Sequence, residues 1–219
     1  RPEPDLDAVL SVLSSPPPPA PAVPEIPPPV RPVPATALAA ELAARRLPGA
    51  SPAEPEPAAF GARFGTLLHL LLERRSVPLE ERLDTLLELG LLDPSLAPSL
   101  LSAARALAAH PLVEPLLASP DSLSEWPFTV RLGRFLVTGK ADLVGPVPGG
   151  RRVVDFKSGR PPSDPLVLMQ YRFQLAIYAR AVELVLGGPV EAAAVFASGD
   201  VLPAAPPSLL DETLAVLTV

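Results

Sequence analysis

Cysteine is absent from all 219 residues. Disulfides, cysteine zinc sites, thiol nucleophiles and cysteine-held iron–sulfur clusters are therefore excluded. The absence fits a reducing cytosol, and a cytoplasmic location is expected. Long apolar runs are missing too. The richest stretch, Leu67-Leu68 with Leu70-Leu71-Leu72, falls far short of the ~20 residues that a membrane span requires. No basic start followed by an apolar stretch and a cleavage site is seen. No GxxxxGK[ST] segment occurs, which excludes ATP hydrolysis by that route. Lysine is scarce: Lys140 and Lys157 stand against 16 arginines. Where positive charge alone suffices this chain uses arginine, so a retained lysine suggests a compact ammonium with an adjustable pKa. There is no internal repeat. The first residue is Arg1 and not Met, so the chain is expected to be a piece of a longer protein.

Proline is in excess, at 33 residues, and 17 of these fall within residues 1–57, in runs such as Pro16-Pro17-Pro18-Pro19. Such a stretch sustains neither a continuous helix nor a central strand. Residues 1–59 are therefore expected to be a proline-rich, polyproline-II-prone linker with one short helix at 36–46, and residues 60–219 to form the folded domain. Net charge is −6, which taken alone argues against nucleic acid. The charge is unevenly spread, however. Residues 125–186 carry nine basic side chains against five acids, a surplus of four in a chain otherwise strongly acidic.

Beyond the linker, residues 64–75 read as a buried, leucine-rich helix. Residues 79–118 read as three short helices broken near Gly90, Pro98 and Pro111. The character changes at Glu125. Residues 126–132, 134–144 and 151–157 are rich in Val, Phe, Leu and Thr and are punctuated by Gly133 and the Gly145–Gly150 segment. This predicts a three-strand antiparallel meander. A long helix at 166–186 stops at Gly187-Gly188-Pro189, and residues 190–197 suit a strand pairing in parallel after the crossover. The expected class is α/β, a mixed central sheet flanked by helices.

Asp155 and Lys157 lie at i and i+2 on a predicted strand and face the same way with Val153, while Val154 and Phe156 face the other way. A lone DxK is most often a surface ion pair. Asp142 sits thirteen positions before Asp155. If the strands pair through the Gly145–Gly150 turn, the two aspartates become cross-strand neighbours, and two close carboxylates repel unless a cation or proton lies between them. Mg²⁺ and Mn²⁺ prefer such oxygen ligands; the alternative is two unrelated solvent-facing acids. His69, on the leucine-rich helix, would by itself more often be a satisfied core residue than a ligand. Gly65, one turn earlier, would let another backbone approach. Gln174 and Tyr178 share one face of the long helix. His110, before Pro111, reads as structural.

Taken together, Gly65-x-x-x-His69, Gly139-x-x-Asp142, Asp155-Phe156-Lys157 and Gln174-x-x-x-Tyr178, ordered on helix, strand, strand and helix, resemble the PD-(D/E)xK nuclease superfamily, with its restriction-endonuclease-like core, and within it the RecB-like nucleases. The stretches Gly65–His69, Val154–Pro162 and Tyr171–Tyr178 look most like the C-terminal nuclease domain of AddA-type (UvrD-like) helicase–nucleases, over about residues 60–215. Relatives of the AddB and CRISPR-associated type hold an iron–sulfur cluster on cysteines, which this chain lacks. The family's Asp-Tyr-Lys-Thr segment reads Asp155-Phe156-Lys157-Ser158 here.

The resemblance implies a metal-dependent DNA nuclease, an exonuclease, within a helicase–nuclease that processes double-strand ends for recombinational repair. His69, Asp142, Asp155 and the Phe156 backbone carbonyl would hold Mg²⁺ or Mn²⁺, with Asp142, Asp155 and Lys157 catalytic. Gln174 and Tyr178 would hold the DNA backbone or brace the site, and Lys140 would touch phosphate or pair with a carboxylate. A fused or bound superfamily 1 helicase and a second, AddB-like subunit are the implied partners. The other reading is a catalytically silent nuclease-like module that is structural or guides DNA.

Overall fold

The computed structural model describes residues 32–49, 61–73 and 76–217. The proline-rich stretch 1–34 lies outside them except for its last three residues, and the second linker stretch, 47–59, lies outside them from residue 50 on. A two-residue strand β1 (Val33–Pro34) opens the described chain and runs into helix α1 (Ala35–Arg46). Helices α2 (Gly61–Glu73), α3 (Leu79–Glu88), α4 (Ala97–Ala108) and α5 (Glu114–Ala118) follow. Pro98 does not break a helix; it occupies the first turn of α4, where its missing N–H costs nothing.

The meander comes next: β2 (Leu123–Leu132), β3 (Phe135–Val147) and β4 (Gly150–Lys157). Gly133, at φ 57°, turns the first hairpin, and Gly149, at φ 86°, turns the second. Both positions require the left-handed region that glycine enters freely. Helix α6 (Pro165–Leu186) starts where Asp164 accepts the Leu166 N–H at 2.7 Å. It ends at Gly187, whose N–H returns to the Glu183 carbonyl. Strand β5 (Val190–Phe196), short β6 (Val201–Pro203) and helix α7 (Pro207–Leu217) complete the chain. The path of the sheet is β1-β3-β4-β5-β6, with β2 on the other side of β3. Strand β5 pairs with β4 in parallel, as the crossover through α6 requires.

The mixed sheet flanked by helices is the expected α/β architecture. Helices α1, α6 and α7 cover one face through Leu38, Leu42, Phe173, Ile177 and Leu210, against Val153, Ala192 and Ala194. Helices α2 to α5 cover the other through Leu68, Leu71, Leu100 and Leu107, against Leu143, Val154, Phe156 and Val195. The sequence places helix α1 inside a linker, yet Leu38, Ala39, Leu42 and Ala43 are buried in the first of these cores. The segment 35–46 is therefore part of the folded body: an amphipathic stripe of leucine and alanine has found a partner in α6. Replacing Leu42, which is fully buried, by Ala should cost about 2–5 kcal/mol, read as a lowered denaturant midpoint. A linker helix would lose almost nothing.

Candidate active site

Side chains along β3 keep strict alternation only up to Asp142. Val137 and Ala141 face the α1/α6 core, but Leu143 faces the α2–α5 core and Val144 faces α1/α6 again. The alternation slips by one residue at Asp142. Both flanking ladders break there as well. In the β2–β3 register Ser124 pairs with Leu143 and Trp126 with Ala141, skipping Glu125 and Asp142. In the β3–β4 register pairing stops at Leu143 and Val154, one step short of Asp142 and Asp155. Glu125 takes φ 51°, the one positive φ outside glycine among the described residues. Holding a glutamate there costs on the order of 1 kcal/mol or more, a strain that clusters at functional sites.

The break is filled by side chains. Asp142 Oδ2 accepts the Phe156 N–H at 2.7 Å, standing in for the missing carbonyl of the ladder. Its Oδ1 lies 3.3 Å from His69 Nδ1, and Glu125 Oε1 lies 3.6 Å from the same nitrogen. His69 Nε2 meets the Phe156 carbonyl at 3.2 Å. Both ring nitrogens therefore face oxygen acceptors, which only a doubly protonated ring or a bound cation satisfies. Burial alone would lower the His69 pKa. The Asp142 hydrogen bond, with the charges of Asp142 and Asp155, outweighs it and raises the value above 6.5.

Asp155 and Lys157 point to the α6 side, as their spacing predicts. Lys157 Nζ sits 2.6 Å from Asp155 Oδ2 and 4.9 Å from the centre of the Tyr171 ring. Burial raises the Asp155 pKa and the Asp142 charge adds to it, while Lys157 opposes both. For Lys157, burial pulls down but the Asp155 charge and hydrogen bond prevail, so the amine is held above its ordinary range. Gln174 Nε2 donates to the Tyr178 hydroxyl at 2.7 Å. Burial and the Asp155 charge push that phenol up to about 12, against the opposing Gln174 bond. Tyr178 is buried and meets Phe128 edge-on at 5.5 Å between ring centres.

The structure brings together His69, Asp142, Asp155, the Phe156 carbonyl and Lys157. It sets Gln174 and Tyr178 behind them. Lys140 pairs with Glu125. Gly65 has nothing within 4 Å of the place a Cβ would take, so no backbone approaches it. Gly139 does meet a neighbour: a Cβ there would overlap the Phe128 ring, with Cε1 at 2.8 Å. Sequence reasoning missed Glu125. Counting back across the Gly133-Arg134 turn from Asp142 lands on it, but the predicted strand starts at residue 126, one position too late.

The ligand atoms of His69, Glu125 and Asp142 lie within 4.8 Å of one another. Asp155, expected among the ligands, is not in that group. A family model described as the PD-(D/E)XK nuclease superfamily matches residues 39–204, more than half of the chain. The chain belongs to the PD-(D/E)XK nuclease superfamily. No curated protein matches it. A solved structure described as "Crystal structure of SSO0001" is 13% identical, with 83% of this chain and 86% of that chain covered and a TM-score of 0.29. That likeness is too loose to carry an argument.

PD-(D/E)XK nucleases use divalent metals, and the donors here fit one. One imidazole and carboxylate oxygens suit a hard or borderline ion such as Mg²⁺ or Mn²⁺. The buried like charges of Asp142 and Asp155 and the doubly acceptor-facing His69 ring both call for added positive charge.

Two measurements follow from this geometry. In EDTA, protonated His69 contributes stability that is fully present below its unfolded pKa of about 6.5. That contribution is lost as pH rises through the raised folded value. The melting-temperature advantage of wild type over His69→Gln should therefore be greatest near pH 5.5 and shrink by about pH 9. An advantage that grows with pH would contradict the protonated ring. Separately, Gly139→Ala should destabilise by about 1–3 kcal/mol through overpacking on Phe128. Gly65→Ala, in open space on a helix, should instead stabilise by up to about 1 kcal/mol. Equal effects in equilibrium denaturation would refute the packing role of Gly139.

Proposed function

We propose that the chain is a divalent-metal-dependent deoxyribonuclease that hydrolyses DNA phosphodiester bonds. The observation that carries it is the meeting of His69, Glu125 and Asp142 in ligand range beside the Asp155–Lys157 pair. His69, Asp142, Asp155 and the Phe156 carbonyl are assigned to the cation, and Glu125 joins them. A bound divalent ion supplies charge neutralisation at the phosphodiester and acidity to water. Asp142 holds β4 through the Phe156 N–H, which fixes the carbonyl of the same residue relative to His69. Lys157, held as an ammonium, is assigned to the negative charge that develops on phosphate oxygens and to orienting water. Tyr178 is too buried to grip DNA, so the Gln174–Tyr178 pair is assigned to bracing α6 against Phe128.

The wider setting rests on the sequence resemblance. We place the domain in an AddA-type helicase–nuclease, cutting as an exonuclease during double-strand end processing and recombinational repair. The proline-rich start would tether it to a superfamily 1 motor, with an AddB-like second subunit. The absence of cysteine supports a cytoplasmic setting, and among the described residues no helix is long and apolar enough to cross a membrane.

A labelled DNA oligonucleotide incubated with Mg²⁺ or Mn²⁺ tests the reading. Cleavage should need the metal and cease in EDTA; full activity in EDTA would remove the metal from the account. Lys157→Ala should lower turnover by at least 100-fold, a loss of about 2.7 kcal/mol or more in transition-state stabilisation, with metal affinity nearly intact. Asp142→Asn should lower metal affinity as well. Lys157→Arg should restore little, because a broad guanidinium replaces a compact ammonium poorly. Near-normal cleavage by the Arg variant would refute the role given to this lysine. Cleavage by none of the proteins, wild type included, would favour a silent DNA-guiding module.

A further inference from the structure

The α2–α5 layer covers only part of its sheet face. Its core takes Leu143 from β3, Val154 and Phe156 from β4 and Val195 from β5, and no residue from β2. Beyond the break at Asp142, the same face of the β2–β3 hairpin carries Pro127, Thr129 and Arg131 on β2 and Leu136, Thr138 and Lys140 on β3. Their opposite neighbours Phe128, Val130, Leu132 and Val137 fill the α1/α6 core. Thr129, Arg131 and Lys140 are exposed, and Thr138 is half-buried. Lys140 reaches back to Glu125, and Glu125 to His69. Among the described residues this face is uncovered, and it begins at the candidate site and runs toward the Gly133 turn. Lys140 pairs with Pro127 and Arg131 with Leu136, four residues further along, or about 14 Å.

Charge decides what could lie on it. Lys157 and Lys140 are matched by Asp155 and Glu125, and Arg152 and Arg180 by Glu191 and Glu183. The Arg131 side chain has no hydrogen bond or ion pair among the described residues. No acid stands among Pro127, Thr129, Arg131, Leu136, Thr138 and Lys140, the residues that the register sets on this face beyond the break. The face offers one free guanidinium and two hydroxyls between it and the ammonium, all suited to phosphate oxygens. A protein partner would instead be expected to need a larger apolar patch than Pro127 and half-buried Leu136 present.

We propose that the outer face of the β2–β3 hairpin is the track on which one strand of the nucleic-acid substrate lies as it enters the site, with Arg131 as its distal phosphate contact. This rests on the nuclease reading and deepens it. Arg131 is a positioning residue: it touches substrate backbone away from the reacting phosphate.

The test compares Arg131→Glu and the one-unit change Thr138→Glu with Arg45→Glu, which matches the two-unit charge change of Arg131→Glu on α1 in the opposite layer. Steady-state cleavage of a single-stranded oligonucleotide with Mg²⁺ gives kcat and KM. Fluorescence anisotropy in EDTA gives binding without cleavage. The track predicts KM and the anisotropy Kd raised about ten-fold by each hairpin variant, with kcat within about two-fold. It also predicts a salt dependence of log Kd reduced by about 0.7 for the lost Arg131 contact. Arg45→Glu should do neither. Unchanged KM in the hairpin variants, or an equal rise in the Arg45 control, overturns the track while leaving a cleaving enzyme intact. Binding through Arg131 without any cleavage by wild type would sink the nuclease function and keep the track. A chain that neither binds nor cleaves overturns both.

Discussion

One hydrogen bond organises this site: the Phe156 N–H donating to Asp142 Oδ2 at 2.7 Å. In an unbroken antiparallel pair that N–H would find a backbone carbonyl, and Asp142 would face Asp155 across a closed ladder. With the carboxylate taking that place, the strands part without leaving a buried donor orphaned, which would cost on the order of 1–3 kcal/mol. The opening frees the Phe156 carbonyl for His69. The compensating slip lets Asp142, between two strands, address groups on both sides of the sheet.

Electrostatics then constrains what can fill the opening. Glu125, Asp142 and Asp155 converge while largely removed from water, and burial of uncompensated carboxylates is expensive. Lys140, Lys157 and a protonated His69 provide matching charge within the chain. Of these three cations, His69 is the one whose ordinary pKa lies in the physiological range. A divalent ion competing with that proton has ligands waiting, so the histidine is the point at which proton and metal chemistry exchange.

Much of this is legible in the residues alone. Asp155 and Lys157 share a face by strand period. The register does bring Asp142 level with Asp155, and α6 is bounded by a capping Asp164 and a terminating glycine pair. What is not legible depends on tertiary contacts. Helix α1 lies in proline-rich surroundings, and nothing local says that α6 will bury its leucines. Strands β1 and β6, two and three residues long, are too short to show a period. Glu125 sits at a strand start, where a left-handed backbone cannot be read from a residue type that rarely adopts it. Gly139 reads as a spacer in a motif, whereas its missing side chain makes room for Phe128. The retained lysine lies against Asp155, whose charge and hydrogen bond raise its pKa, a partnership that the rarity of lysine does not reveal.

The central claim is that the break at Asp142 builds a cation site. Calorimetric titration of the purified chain with Mn²⁺ tests it most directly, run beside Asp142→Asn, which keeps the shape and removes the charge. The account predicts saturable binding to the wild type, accompanied by proton release that is greatest in mild acid and fades as pH rises through the raised His69 pKa, and affinity weakened at least ten-fold in the variant. Equal Mn²⁺ binding by the two proteins, or none by the wild type, would contradict it.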